Sequence, residues 1–242
     1  MKAIAVIPAR YASTRFPAKA LEPLVGKPLI LWVRDAVSAS GLFAEVIVAT
    51  DSELIKSAVE DFGGRAVLTR PDHASGTDRI AEAAAGLDFD LIVNVQGDEP
   101  LITKEALAPL LEAFEDPSVQ IASLMTPLED PALLADPNTV KVVVDQFSDA
   151  LYFSRAPIPW DRDGTGYDRY LRHIGVYAYR RSALARFVML PPGRLEQAEK
   201  LEQLRALENG MAIRMVATDY QGIGIDTPAD LERVEALLIQ ST

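Results

Sequence analysis

The chain reads as an α/β protein built on a mainly parallel, doubly wound sheet, with a smaller mixed subdomain in its second half. Two observations predict this. Short apolar runs at 3–7, 45–49, 66–68 and 91–95 place apolar residues on both faces, as strands buried inside a parallel sheet do. Helix caps and helical apolar spacing fill the gaps between them, so strand and helix alternate in the rhythm that winds such a sheet.

The elements follow in order. Residues 3–7 (AIAVI) are a strand that breaks at Pro8 into a loop holding Arg10, Arg15 and Lys19. Lys27-Pro28 opens a helix with apolar positions Leu29, Leu31, Trp32, Val33, Ala36 and Val37, and Pro28 suits its first turn. A strand over 45–49 leads to Thr50-Asp51-Ser52, which caps the next helix. A strand at 66–68 precedes a helix over 77–85, capped by Ser75-Gly76-Thr77-Asp78, and 91–95 (LIVNV) is an interior strand. The second half is less regular: strands over 140–144 and 150–153 flank a turn at 147–149, a polar loop runs from 157 to 170, and a strand resumes over 173–179. Residues 195–207 read as one amphipathic helix with Leu195, Ala198, Leu201 and Leu204 on a single face, stopped by Asn209-Gly210. A strand near Ile223 and Ile225 precedes Thr227-Pro228-Ala229-Asp230, a near capping box for the last helix. The organisation is one domain over 1–242, with a core at about 1–126 and 205–242 and a subdomain at about 127–204.

Composition narrows the function. With 35 acidic and 24 basic side chains, the chain lacks the basic face that nucleic acid requires. A small anion held by a local basic loop stays open. No apolar stretch approaches the roughly 20 residues of a membrane span, and the first strand lacks a signal-peptide cleavage pattern; cytoplasm is the expected compartment. With two His and no Cys, a hard ion such as Mg²⁺ on Asp oxygens is easier to build than a zinc site.

Three segments carry chemistry. Arg10, Arg15 and Lys19 follow the first strand, where an α/β sheet holds a polyphosphate; a solvated basic loop is the alternative. Gln96-Gly97-Asp98-Glu99-Pro100 follows the 91–95 strand and reads either as a turn or as a carboxylate aimed into a ligand crevice, with Gly97 permitting an unusual angle or a close approach by the ligand. Asp226 either caps the final helix or joins Asp98 in holding a metal against phosphates. A nicotinamide dehydrogenase is rejected, because the first turn reads Pro8-Ala9-Arg10-Tyr11 and lacks the glycine fingerprint.

Ile7-Pro8-Ala9-Arg10 through Ser13-x-Arg15-x-Pro17-x-Lys19 resembles the signature of the sugar-nucleotide cytidylyltransferases. RPDHASGTDRIAE, IVNVQGDEP, PNTVKVV, ALYFSRAPIPWDRD, LRHIGVYAYR, LEQLRALENG and GIDTPADLE follow in family order, and narrow the resemblance to the 3-deoxy-manno-octulosonate cytidylyltransferases. Ala18 and Ala20 depart from the expected Gly and Pro, and the loop from Trp160 to Tyr170 is shorter. The resemblance implies a Rossmann-like sheet of the nucleotide-diphospho-sugar transferase type, CTP and 3-deoxy-D-manno-octulosonate (Kdo) as substrates, Mg²⁺ as cofactor, and a homodimer. It places catalysis on Arg10, Arg15, Lys19, Asp98 and Asp226, with Asp98 and Asp226 on the metal. CTP falls to Ala9, Arg10, Lys19, Ser75, Gly76, Thr77 and Arg79. The sugar acid falls to Gln96, Arg155, His173, Tyr177, Glu202 and Gln203; by side-chain chemistry Arg155 and His173 can meet its carboxylate and the others its hydroxyls. Another cytidylyl or uridylyl acceptor, or a non-catalytic nucleotide-binding module, are the competing readings.

Overall fold

The computed structural model describes residues 1–12, 16 and 18–240. The chain divides into two compact units, residues 1–107 with 222–242, and residues 108–221.

The first unit opens with β1 (Ala3–Ala9), a 3-10 turn at Lys19–Leu21, a ribbon of β2 (Pro23–Leu24) and β3 (Lys27–Pro28), and α1 (Leu29–Ala39). It continues through β4 (Glu45–Thr50), α2 (Glu53–Asp61), β5 (Arg65–Leu68), α3 (Gly76–Ala83) and β6 (Leu91–Asn94), and α4 (Lys104–Glu112) leads onward. All four long strands are parallel, in the order β6-β1-β4-β5. Ile4, Ala5, Val6 and Ile7 of β1 are almost wholly buried, as the unbroken apolar run requires. Lys27 and Pro28 belong to the ribbon rather than to the helix. Antiparallel pairing with Leu24 and Pro23 holds them extended, and α1 starts at Leu29.

The second unit holds β7 (Ile121–Pro127), α5 (Pro131–Ala135), β8 (Lys141–Val144), β9 (Ala150–Ser154) and β10 (Leu171–Arg180). Then come α6 (Arg181–Phe187), α7 (Arg194–Glu199), α8 (Leu204–Glu208) and β11 (Arg214–Ala217). β7 pairs parallel with β11 and antiparallel with β10, while β8 pairs antiparallel with both β10 and β9. The chain then returns to the first unit with α9 (Pro228–Gln240).

The mainly parallel α/β architecture is the one the sequence predicts; besides the start of α1, two further expected elements differ. The helix expected over 195–207 is two helices, because Lys200 turns left-handed at φ 54°. Glu196 and Arg205, nine residues apart, would face opposite sides of one straight helix. Instead Arg205 donates to both Glu196 carboxylate oxygens, at 2.8 and 2.5 Å, and this pairing requires the break. The strand expected near 223 and 225 is irregular chain tied down by Ile225 N–H to the Asp98 carbonyl at 3.0 Å, and the last strand among the described residues is β11.

Candidate active site

At the carboxyl end of β1 the winding reverses: the chain runs outward to β4 and β5, then crosses back to β6 on the other side. Open α/β sheets hold ligands at this kind of switch point. A pocket of about 340 Å³ opens there, and its walls include Ala9, Arg10, Lys19, Gln96, Asp98 and Asp226. All six were singled out from the sequence. Arg15 lies outside the described residues.

Lys19 draws the pocket together. Its Nζ donates to Asp98 Oδ2 at 2.7 Å, to the Ile225 carbonyl at 2.7 Å and to Asp226 Oδ1 at 3.4 Å. Ala18 launches it from φ 55°, the left-handed region that favours glycine, which accounts for the glycine of the family pattern at this place. Asp98 follows β6 in a turn closed by Glu99 N–H to the Gln96 carbonyl, so the turn and the inward carboxylate coexist. Thr227 and Asp230 form the capping box of α9. Thr227 Oγ1 accepts from Asp230 N–H at 3.3 Å while Asp230 Oδ2 accepts from Thr227 N–H at 2.8 Å, and Asp226 turns its carboxylate to Lys19.

Gly97 is where the backbones crowd. A Cβ there would stand 2.9 Å from the Pro8 carbonyl oxygen, so the close approach is to protein backbone. Gly97→Ala is expected to cost about 1–3 kcal/mol in urea unfolding. It should also lower turnover, because Asp98 rides on the displaced turn.

The donor set fits a hard cation. Two carboxylates and a carbonyl oxygen already surround an ammonium ion. Among the described residues no group of three or more His, Cys, Asp and Glu could enclose a metal. Mg²⁺ is commonly held in this way, by one or two carboxylates with substrate phosphates and water completing the shell.

The segment 73–79 flanks the same end of the sheet. Arg10 Nη2 donates to the His73 carbonyl at 3.0 Å. Ser75 Oγ caps α3 by accepting Asp78 N–H at 3.1 Å, and Gly76 lies against Pro8, where a Cβ would sit 3.4 Å from its Cγ. Thr77 is buried. Arg79, expected at the nucleotide, is closed to solvent: its guanidinium donates to Thr69 Oγ1 at 2.5 Å and Asp51 Oδ2 at 3.1 Å. Asp51 also accepts Tyr11 N–H at 3.1 Å, so Arg79 braces the loop that carries Arg10.

Gln96 belongs to the first unit; the other five residues expected at the sugar belong to the second. His173 and Tyr177 lie on β10 with ring centroids 5.3 Å apart, and Phe153 meets His173 edge-on at 5.0 Å. Burial, with Arg172 adding like charge, lowers the His173 pKa to about 3. Burial likewise raises the Tyr177 hydroxyl well above its ordinary value, with Tyr179 and Glu202 adding to the effect. Arg155 gives three of its N–H groups to main-chain carbonyls: Nε to Glu199 at 2.7 Å, Nη1 to Pro137 at 2.7 Å and Nη2 to Lys200 at 3.3 Å. Two N–H groups remain on a guanidinium held in place. Gln203 is buried, and Glu202 Oε1 lies 3.7 Å from Arg205.

The cytidylyltransferase family matches residues 4–213. This chain belongs to that family. The 3-deoxy-manno-octulosonate cytidylyltransferase of Flavobacterium johnsoniae is 52% identical over 241 residues, covering 98% of this chain and 99% of the relative. The Solibacter usitatus protein of the same name is 48% identical over 237 residues, covering 98% and 94%. A solved structure of CMP:2-keto-3-deoxy-manno-octonic acid synthetase complexed with CTP gives a TM-score of 0.95 at 46% identity, with both chains fully covered. A 4-diphosphocytidyl-2C-methyl-D-erythritol synthase from Anaerococcus prevotii, at TM-score 0.64 and 18% identity over 98% of this chain and 99% of that one, shares the fold.

Three supporting residues of this cytidylyltransferase were not foreseen. Lys141 is fully buried and donates to the carbonyls of Asp136, Thr139 and Arg155, at 3.0, 2.6 and 2.5 Å. Glu199 accepts from Ser154 Oγ at 2.6 Å and Arg155 N–H at 2.9 Å. Ser123 touches His173. A lysine opening the apolar run KVVV was a visible signal for the first; the other two left none.

Proposed function

We propose that this cytidylyltransferase transfers CMP from CTP to the anomeric hydroxyl of Kdo, giving CMP-Kdo and pyrophosphate. The observation that carries the reading is the pocket at the end of β1, where Arg10 and Lys19 stand with Asp98 and Asp226. The names of the relatives support CTP and the acid as its substrates.

In the reaction the anomeric oxygen bonds to the α-phosphorus, the bond to the β-phosphate oxygen breaks, and pyrophosphate leaves with the electron pair. Such transfer asks a protein for in-line positioning and charge neutralisation rather than covalent help. Arg10, Arg15 and Lys19 would offset charge on the β- and γ-phosphates, Arg as a planar fork and Lys as a point charge. Ala9, Ser75, Gly76 and Thr77 would frame the nucleotide, with Arg79 bracing the loop beneath. Asp98 and Asp226 would hold Mg²⁺, which when bound stabilises phosphoryl oxygens and lowers the pKa of the attacking hydroxyl. No side chain is assigned as general base. Gln96, Arg155, His173, Tyr177, Glu202 and Gln203 would bind the sugar acid. A homodimer working in the cytoplasm for lipopolysaccharide synthesis completes the proposal.

A coupled pyrophosphate-release assay across nucleotides and acceptors tests it. Release is expected with CTP and Kdo, and at least about tenfold less with UTP or a sugar 1-phosphate, the difference one well-made polar contact produces. Preference for another acceptor would overturn the Kdo assignment. No release with any pair would favour a nucleotide-binding module.

A further inference from the structure

We propose that Ser123 is a positioning residue that locks His173 into the neutral tautomer protonated on Nε2, leaving Nδ1 to accept a hydroxyl of the acceptor sugar; the sugar role rests on the function proposed above. The starting observation is a break in the β7–β10 ladder. Ile174 pairs with Leu124 and Tyr177 with Ser123, so two residues of β10 bulge out between successive residues of β7. Ser123 Oγ sits in the gap, 2.9 Å from the Val176 carbonyl, 3.3 Å from the Ile174 carbonyl and 3.0 Å from His173 Nε2, with the Tyr177 hydroxyl as a further hydrogen-bond neighbour.

A serine hydroxyl has one hydrogen to give, and carbonyl oxygens only accept. The Val176 carbonyl, at 2.9 Å, is the nearest acceptor, and donation to His173 would take that hydrogen away from it, which is costly. The hydrogen therefore goes to a carbonyl, and toward the ring Oγ accepts. Nε2 carries the proton, and a neutral imidazole then has a lone pair on Nδ1. Among the described residues no hydrogen bond reaches Nδ1. Phe153 edge-on at 5.0 Å and Tyr177 at 5.3 Å hold the ring plane. Burial keeps the ring uncharged at neutral pH.

A neutral ring offering a lone pair repels a carboxylate and welcomes a hydroxyl. The two carboxylate roles that side-chain type alone allows therefore separate. Arg155, fixed by three carbonyls and with two N–H groups left, takes the carboxylate; His173 takes a hydroxyl.

The test uses the full-length enzyme with ¹⁵N-labelled histidine and two-bond ¹H–¹⁵N spectra. The chain has only two His, so H173Q assigns the signals. Wild type is expected to show the Nε2–H pattern for His173 at neutral pH, and an Nδ1–H pattern or an imidazolium would overturn the proposal without any variant. S123A is expected to lose the single-tautomer pattern. Its KM for Kdo should rise roughly tenfold, the scale of one hydrogen bond, with kcat and KM for CTP within about twofold. S123T, which keeps the hydroxyl, should restore both. An unchanged tautomer in folded S123A overturns the lock. A changed tautomer with an unchanged KM for Kdo overturns the sugar role of His173 alone.

Discussion

Asp98→Asn is expected to cut turnover with CTP and Mg²⁺ by roughly a thousandfold or more, the scale seen when a group stabilising transition-state charge is removed. The substitution isolates charge from shape. Asn keeps the volume, the turn closed by Glu99 and Gln96, and the main-chain bond from Ile225 to the carbonyl of residue 98. What goes is one of the two carboxylates around Lys19. The half-buried ion pair contributes about 1 kcal/mol to stability, so the variant should fold, with a melting temperature within a few degrees of wild type. Initial rates of pyrophosphate release and a thermal melt check both halves. Normal turnover in the folded variant would remove Asp98 from the metal role.

Acidification from pH 7 to pH 4 is expected to lower stability by about 3 kcal/mol through His173 alone. The folded pKa is about 3, against 6.5 for an unperturbed histidine. Between those values the unfolded chain binds a proton that the folded ring refuses, so stability falls as pH falls through this window and is fully present above about pH 7. Urea midpoints for wild type and H173Q from pH 7 to pH 4 read this directly. The variant should lack this slope, so its stability deficit relative to wild type should shrink as the pH drops. Parallel curves would show that His173 is charged in the folded enzyme, or accepts its proton near neutrality.

The sheet was legible because burial on both faces leaves an unmistakable trace: AIAVI and LIVNV read as interior strands from composition alone. The cations of the first loop and the acids at 98 and 226 were each legible as charges at strand or helix ends. Their meeting was left open by the residues, with Asp226 offered as a cap or as the partner of Asp98, and was drawn together by the resemblance; the Lys19 contacts that join them depend on three chain segments converging through tertiary structure. The Gly97 approach was half legible: sequence offers a glycine its freedom, and only the fold names the Pro8 carbonyl as the neighbour. Residues 195–207 misled because apolar spacing was continuous, whereas the break is dictated by a buried pairing of Glu196 with Arg205. Ser123 was invisible for the same reason. A serine in the run IASLMT carries no period and no charge, and its use appears only beside a bulge in the neighbouring strand.

Lys19 lies 79 residues from Asp98 and 207 residues from Asp226. During synthesis the cation emerges first, the first acid some way behind, and the second near the end. At about 5–20 residues per second, the lysine waits on the order of 10–40 seconds for Asp226 to leave the ribosome. Half-made chains thus carry Lys19 and Asp98 but not Asp226, so the contact of Lys19 with both acids closes only after Asp226 has emerged.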